Sequence, residues 1–279
     1  MDEADALPFR LPTMKSKPTD EKEAEEKCNR RRFDPNALYY DMSGDKHLLI
    51  FNHYAYQSTV YFRNKKPSTR KGTFGDVERL NNVFKSLNFK VASYTDLYYS
   101  NIKENINAFI ANDHSNTSCI CVVFLTHGNC NGELYAADRP FSPKIVMSLF
   151  ENVKLATIPK LFIIQACRGE DVDAGTYVST DTTVFTDLHI PTHIDFLTLY
   201  ASVEGIVAFR DKEGSWMIQE LCNVIEKYYK EYDILHLITL ANKAVAFERT
   251  AVNKLNLNID QKKQTLETKF TLTKILKLA

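Results

Sequence analysis

Two patterns of apolar residues alternate along the chain. Short apolar runs, which are typical of strands covered on both faces, predict strands over residues 48–51, 89–94, 119–126, 160–166 and 196–202. Apolar residues that recur three or four positions apart predict helices over residues 77–87, 102–110, 217–228 and 234–247. Residues 270–273 alternate like a strand with one covered face. Strands that alternate with helices predict an α/β domain with a largely parallel sheet.

Two segments lack either pattern. Residues 1–32 carry sixteen charged side chains and few apolar ones, which is the composition of a flexible tail. Residues 169–195 contain five aspartates and no sustained apolar period, which predicts an exposed loop. We therefore expect a tail over residues 1–40 and one folded domain over residues 41–279, with regular structure starting near His47.

The charges of the chain cancel, with 35 basic and 35 acidic residues. A balanced charge gives no general attraction to nucleic acid, so proteins are the expected partners. The longest apolar run, residues 119–125, is far shorter than the ~18 residues that indicate a membrane span. The first residues, Met-Asp-Glu-Ala-Asp, do not resemble a secretory signal. We expect a cytoplasmic protein that binds neither nucleic acid nor membrane.

Six cysteines are spread irregularly over the chain, which favours free thiols over a disulfide framework. Cys119, Cys121 and Cys222 are expected to be buried packing residues. The alternative is a metal site built from Cys119, Cys121, His127 and Cys130. We expect the Cys-x-Cys spacing to direct the two thiols to opposite faces of a strand, which disfavours tetrahedral ligation. No metal and no cofactor are therefore expected.

One cysteine and one histidine each follow a predicted buried strand directly. Cys167 lies in the sequence Gln-Ala-Cys-Arg-Gly at residues 165–169, and His127 follows the run 119–126. In a parallel α/β sheet, reactive groups gather beyond the carboxyl ends of the strands. Because a thiol with a pKa near ~8.5 is mostly protonated at neutral pH, a nucleophilic cysteine needs a neighbouring base. His127 and Cys167 are therefore a candidate catalytic pair.

The pentapeptide at residues 165–169 resembles the Gln-Ala-Cys-[Arg/Gln/Gly]-Gly signature of the caspases, cysteine endopeptidases that cut proteins after aspartate. The resemblance implies a three-layer sandwich with a central, mostly parallel six-stranded sheet and helices on both faces. It also implies that Cys167 is the nucleophile, that His127 is the general base and acid, and that the amides of Gly128 and Cys167 form the oxyanion hole.

The resemblance extends to the substrate pocket. Residues 68–73 resemble the family element Arg-x-Gly-Thr, which assigns Arg70 to the substrate aspartate, together with Gln165 and Arg210. A buried carboxylate needs a fixed cation, and an arginine fork supplies one. The residues that the resemblance assigns to neighbouring subsites are Val207, Phe209 and Trp216. From residue type alone, Arg70 would be a solvated loop cation and Trp216 a core aromatic.

Several sites of processing follow from the same resemblance. The loop 169–195 would link a large subunit ending at about residue 181 to a small subunit over about 188–279. An upstream caspase, or the enzyme itself, would cut this loop after Asp181, with Asp187 as the second choice. A further cut after Asp5 would expose a terminus that resembles the signature bound by inhibitor-of-apoptosis proteins, Ala6, Leu7, Pro8 and Phe9.

The short tail favours an executioner of apoptosis over an initiator, because an adaptor module needs more residues. The terminal strand could pair with its copy in a two-fold homodimer. Two alternatives remain open. One is a catalytically silent homologue that regulates other caspases, although both catalytic residues are present. The other is a relative that cuts after arginine or lysine, although Arg70 would repel such substrates.

Overall fold

A six-stranded sheet forms the centre of the computed structural model, which describes residues 34–168, 194–204, 208–211, 213–251 and 261–278. The strand order is β2-β1-β3-β6-β7-β8, and every neighbouring pair is parallel except β7 and β8. The predicted mostly parallel sheet is confirmed. Its strands are β1 (Asp45–Asn52), β2 (Phe89–Thr95), β3 (Thr117–Leu125), β6 (Lys160–Gln165), β7 (Phe196–Tyr200) and β8 (Glu267–Phe270).

Helices connect these strands, and the four helices predicted from periodicity are all present. The helices are α1 (Thr73–Ser86), α2 (Tyr99–Ala111), α3 (Pro143–Ser148), α4 (Trp216–Tyr228) and α5 (Ile234–Lys243), which continues as a π-helical turn (Ala244–Glu248). Shorter elements are two 3₁₀ turns (Val60–Phe62 and Val153–Leu155) and an antiparallel pair, β4 (Leu134–Tyr135) and β5 (Pro140–Phe141). Helix α3 and this pair were not predicted, because elements this short show no period.

The sheet is covered on both faces, which explains the unbroken apolar runs. Alternate residues of β3 point to opposite faces. Cys121 and Val123 pack in the cluster that contains Leu80 of α1 and Leu221 of α4. Val122 and its alternate neighbours pack in a second cluster with α2. Because both faces are buried, β3 shows no polar alternation, and the three-layer arrangement follows.

The expectation that the Cys-x-Cys spacing separates two thiols is wrong. Residues i and i+2 of a strand share a face, and Cys119 and Cys121 both lie in the cluster beneath α1 and α4. Both are fully buried, as is Cys222, and all three are free thiols. Burial raises the pKa of Cys119 to about 12. These cysteines are packing residues, as predicted.

The final strand lies three residues earlier than the alternation at 270–273 suggests. It ends at Phe270, whose side chain is 53% exposed. Beyond it, Thr273 turns to the side chain of Asp195, to which its backbone N–H and its hydroxyl both donate, at 3.2 and 2.8 Å. A side-chain acceptor thus replaces the sheet ladder, and apolar alternation cannot signal such a contact.

The segment before β1 belongs to the fold. Tyr40 is buried, and its hydroxyl donates to Asp195 Oδ1 at 2.6 Å. Burial and the neighbouring Asp195 raise the pKa of Tyr40 above its ordinary value. Tyr39 pairs through its backbone with Ile275 near the end of the chain. These contacts join the start of the described chain to the segment preceding β7. In the ranges described above, no helix has the length and apolarity needed to cross a membrane.

Candidate active site

The loops that follow β3 and β6 lie against each other at the carboxyl edge of the sheet. The two strands are parallel neighbours, and the N–H of Thr126 donates to the carbonyl of Gln165 at 3.1 Å. A Cβ added to Gly128 would lie 2.2 Å from the carbonyl oxygen of Cys167. Only glycine permits this approach, since the backbone of Cys167 cannot yield. Gly128 and Cys167 are therefore held together, as their positions after adjacent strands predict.

His127 is oriented by two neighbours. Its backbone N–H donates to the hydroxyl of Tyr56 at 3.0 Å, and its Nε2 lies 2.8 Å from the carbonyl oxygen of Ser68. A carbonyl can only accept, so Nε2 carries the proton and Nδ1 keeps a free lone pair. Burial, together with the cations of Arg70 and Arg210, lowers the pKa of His127 to about 4, although the hydrogen bond to Ser68 opposes this fall. The imidazole is therefore a neutral base.

Cys167 is half-buried, and its Sγ lies 3.8 Å from the carbonyl oxygen of Ala208. The next residue, Arg168, anchors the turn: it pairs with Glu267 of β8 and stacks over the ring of Tyr200, with its guanidinium carbon 4.1 Å from the ring centroid. The thiol of Cys167 is therefore partly accessible, while contacts of Arg168 with β7 and β8 fix the backbone beside it.

Arg70 is far more buried than its residue type alone predicts. It is 1% exposed, so the interpretation as a solvated loop cation is wrong. Its Nη1 donates to Thr73 Oγ1 at 2.7 Å and to the carbonyl of His53 at 3.4 Å, and Thr73 in turn donates to Asn52 Oδ1. Burial, followed by the nearby cation of Arg210, lowers the pKa of Arg70 to about 10. One side of the guanidinium is thus held by neutral acceptors.

The other side of this guanidinium has no partner. Arg70 Nε and Nη2 are buried without a hydrogen bond to any described residue, and so is Gln165 Oε1. Buried polar groups are rarely left unpaired, since each costs about 1–3 kcal/mol, and more for a charged group. Arg210 lies close enough for its charge to lower the pKa of Arg70. This arrangement is suited to a small anion such as a carboxylate.

The strand-like segment that carries Arg210 is positioned by a residue that the sequence did not single out. Gln264 is fully buried; it accepts from the N–H of Phe209 at 2.6 Å and donates to the carbonyl of Ala201 at 2.7 Å. Trp216 is 6% exposed and packs on Phe209, with ring centroids 5.0 Å apart. Trp216 is thus a packed aromatic at the start of α4.

Asp76 is a second residue that sequence reasoning missed. It is fully buried in the first turn of α1 and accepts from Ser215, through both N–H and hydroxyl, and from Gln219. Burial raises the pKa of Asp76, and these hydrogen bonds oppose the rise. A Cβ at Gly214 would lie 2.3 Å from its Oδ1. Asp76 therefore ties the helix that follows Arg70 to the turn after Arg210. An acidic residue in a first turn is usual, which hid this role.

The structure brings together six of the residues predicted for the site, His127, Gly128, Cys167, Arg70, Gln165 and Arg210. Val207 lies outside the described residues. The same holds for the predicted cleavage and partner-binding positions, Asp5, Ala6, Leu7, Pro8, Phe9, Asp181 and Asp187. Where the structure describes the chain, no three His, Cys, Asp or Glu side chains are grouped to hold a metal ion.

Comparison with known proteins gives a consistent family. A family model described as the caspase domain of peptidase family C14 matches residues 45–277. Caspase-1 of Spodoptera frugiperda is 37% identical over 225 residues, which cover 77% of this chain and 73% of the relative. Caspase drICE of Drosophila melanogaster is 34% identical over 240 residues, covering 83% and 69%. Caspase-3 of Oryctolagus cuniculus is 34% identical over 195 residues, covering 67% and 69%.

The fold agrees with a solved structure. The crystal structure of caspase-1 from Spodoptera frugiperda superposes with a TM-score of 0.78 at 32% identity, covering 90% of this chain and 96% of that one. The similarity therefore includes both the sheet and the helices on its two faces.

Acidification is expected to destabilise the fold through its buried histidines. The pKa values of His53 and His127 are lowered to about 4, chiefly by burial, whereas an unfolded histidine takes up a proton near pH ~6.5. The unfolded chain therefore binds more protons in this window. The stabilisation from the neutral imidazoles is complete above pH ~6.5 and is lost as the pH falls toward ~4. Urea unfolding at several pH values measures the decline.

The variant His127→Asn provides the comparison, because it removes one of the two imidazoles. Its free energy of unfolding should depend less steeply on pH between ~6.5 and ~4 than that of the unmodified chain. Identical slopes would contradict a neutral, buried His127.

Proposed function

The chain belongs to the caspase family, cysteine endopeptidases that cleave after aspartate, and on this premise we propose that Cys167 is its nucleophile and His127 its general base and acid. The observation that carries the proposal is the contact between the backbones of Gly128 and Cys167 at the carboxyl ends of β3 and β6. It joins a thiol, an imidazole and two backbone amides at one edge of the sheet.

The reaction proceeds through an acyl-enzyme. Nδ1 of His127 takes the thiol proton as Sγ of Cys167 attacks the substrate carbonyl. The amides of Gly128 and Cys167 donate to the resulting oxyanion. His127 then returns the proton to the departing amine, the C–N bond breaks, and a thioester remains. A water, deprotonated by His127, hydrolyses the thioester and releases the carboxylic acid. Throughout, the Ser68 carbonyl accepts from Nε2 and stabilises the imidazolium.

The specificity for aspartate rests on Arg70, Arg210 and Gln165. The free Nε and Nη2 of Arg70 form a fork of the kind that binds carboxylates bidentately. Gln165, on the last position of β6, adds its amide. A bound carboxylate also offsets the cations that lower the pKa of His127, so that occupation of the pocket makes the imidazole a stronger base.

Neighbouring substrate residues lie against Val207, Phe209 and Trp216. Phe209 is half-buried and stacks on Trp216 in the described part of the chain, which gives this subsite an aromatic wall. The positioning residues Asp76 and Gln264 hold this wall and Arg210 at a set distance from α1 and β7.

The enzyme is an executioner of apoptosis that is made as a zymogen. A large subunit ends at about residue 181, a small subunit spans about 188–279, and cleavage within the linker 169–195, after Asp181 or Asp187, activates the pair. Two pairs associate as a homodimer along the β8 edge, where Phe270 is exposed. The support is the similarity to caspase-3 and drICE, together with the spacing of aspartates between the described ends at Arg168 and Ile194.

The tail that precedes the described residues forms a prodomain with a binding role, whereas Tyr39 and Tyr40, which were expected to belong to this tail, pack on the folded domain. Removal of residues 1–5 after Asp5 exposes the amine of Ala6 and the sequence Ala-Leu-Pro-Phe, which docks as an extended strand on an inhibitor-of-apoptosis protein. Proline reduces the entropy lost on ordering. The enzyme works in the cytoplasm, since its described cysteines are free thiols, which persist in reducing compartments.

Activity on peptides that differ at one position tests the active site. The full chain should cleave after Asp and leave matched Asn, Arg and Lys peptides intact. Cys167→Ala should lower kcat/KM by about a thousandfold or more. Arg70→Gln should lower it by about a hundredfold or more on the Asp peptide, because a buried carboxylate then lacks its cation.

The matched control is Arg79→Gln. Arg79 lies on α1, the helix that follows Arg70, is partly exposed and pairs with Glu226, so kcat/KM should stay within about twofold. If the unmodified chain cleaves none of the peptides, it is a silent homologue; cleavage after Arg or Lys would place it with the basic-specific relatives.

Native mass spectrometry of the purified enzyme tests processing and assembly together. New N-termini are expected at Thr182 or Leu188, with an intact mass of two large and two small subunits. Finding neither terminus would contradict the assigned linker sites, and a mass of one large–small pair would contradict the homodimer.

Docking of the tail is tested with two chains that start at residue 6. The chain beginning with Ala6 should bind an immobilised inhibitor-of-apoptosis domain at least about tenfold more tightly than its Ala6→Gly version, since the methyl group fills a pocket beside the captured amine. Equal retention of the two chains would exclude this docking mode.

A further inference from the structure

One segment beside the active site carries basic residues and no acidic ones. Although acidic and basic residues balance over the whole chain, residues 46–75 contain six Lys and Arg and no Asp or Glu. Arg70 is one of the six and lies in the pocket, and Lys46 is buried at the opposite end of β1. The other four are Arg63, Lys65, Lys66 and Lys71.

These four side chains, which we call the basic rim, are all exposed and unpaired. None of them makes a hydrogen bond or an ion pair through its side chain with another described residue. Some surface cations elsewhere do have acidic partners, for example Lys90 with Asp45 at 2.9 Å and Arg249 with Glu220 at 2.7 Å. The rim is therefore a positive surface whose charge is not neutralised by the described fold.

The backbone beneath the rim is held in a defined conformation. Arg63 and Asn64 both have positive φ angles, of 53° and 55°. The N–H of Asn64 donates to the carbonyl of Thr59 at 2.8 Å, and the hydroxyl of Ser58 donates to the carbonyl of Asn64 at 2.9 Å. The hydroxyl of Thr59 is anchored on the carbonyl of Asp138. Two strained residues kept by this many bonds indicate a preorganised turn, which costs little further entropy on binding.

The rim lies on the leaving-group side of His127. Ser68, between Lys66 and Lys71, accepts from Nε2 of His127, so it lies across the imidazole ring from Nδ1, the atom that serves Cys167. In the proposed reaction His127 protonates the departing amine, so the peptide that follows the cleaved aspartate leaves beside this imidazole. Because Ser68 holds the imidazole and belongs to the same segment as the rim, the rim borders this side of the site. Two extended residues span about 7 Å, which joins Ser68 to Lys66.

We propose that the basic rim binds acidic side chains of the substrate that follow the cleaved aspartate. This inference rests on the proposed function and adds to it a preference for acidic protein segments on the departing side of the cut. The Debye screening length is ~8 Å at physiological salt, so acidic residues within a few positions of the cut interact with the rim. The basic rim speeds capture of the substrate and so raises kcat/KM, and this effect weakens as the salt concentration rises.

Internally quenched peptides with one common core test the proposal on the full chain. The core ends in aspartate, and the residues after it are either acidic or replaced by Gln and Asn. The unmodified chain should cleave the acidic peptide with a kcat/KM about tenfold higher at low ionic strength, and the advantage should fall to about twofold at high salt. The variant Arg63→Gln/Lys65→Gln/Lys66→Gln/Lys71→Gln should lose the advantage at both salt concentrations.

A matched variant removes the same charge elsewhere. Its substitutions to Gln are at four exposed lysines outside residues 46–75, namely Lys85, Lys154, Lys227 and Lys230. This control should keep the tenfold advantage. A triple variant, Arg63→Gln/Lys65→Gln/Lys66→Gln, leaves the neighbour of Arg70 unchanged and should show an intermediate advantage, which covers the case in which the fourth substitution disturbs the pocket.

The neutral peptide distinguishes a failure of the proposed active site from a failure of the proposed role of the rim. Its cleavage reports the proposed active site alone, so failure there overturns the proposed function and not the role of the rim. Three results would overturn the rim: no acidic advantage in the unmodified chain, the same advantage in the quadruple variant, or its loss in the matched control.

Discussion

A guanidinium buried at the carboxyl edge of the sheet constrains the rest of the site. Removing an ion from water costs several kcal/mol, and Arg70 offsets this with neutral acceptors on one side only. The other side has no hydrogen-bond partner among the described residues, and in the proposed function a substrate carboxylate binds there. A second cation, Arg210, raises the cost, and buried Asp76 tempers it while joining the two segments. The fold thus stores an electrostatic imbalance that a carboxylate relieves.

The same imbalance acts on the proposed catalytic base. Cations near an imidazole favour its neutral form, and the charges of Arg70 and Arg210 lower the pKa of His127. In the proposed function, a substrate carboxylate bound by these arginines reduces their positive field on His127. Substrate recognition and the basicity of His127 would then be coupled, because both depend on the charges of Arg70 and Arg210.

How far the sequence predicts the site can be judged from particular residues. His127 and Cys167 were accessible to prediction because each follows a strand that is apolar on both faces, and adjacent parallel strands end at one edge. Gln264 and Asp76 were not, because a glutamine in a loop and an aspartate in a first helical turn have common solvated roles. What distinguishes them is complete burial and a partner more than fifty residues away. The expectation that Cys119 and Cys121 point to opposite faces was wrong because residues two positions apart in a strand share a face.

The sequence by itself determined the succession of strands and helices along the chain, the burial of the sheet on both faces and the candidate pair His127 and Cys167, because local periodicity and a short motif encode them. Only the tertiary structure decided the burial of Arg70, the tautomer of His127 set by Ser68, the packing of Trp216 and the early end of β8 at Phe270. Each of these depends on contacts between segments far apart in the chain. Burial and hydrogen bonding across such distances follow from packing, and no local pattern of residues records them.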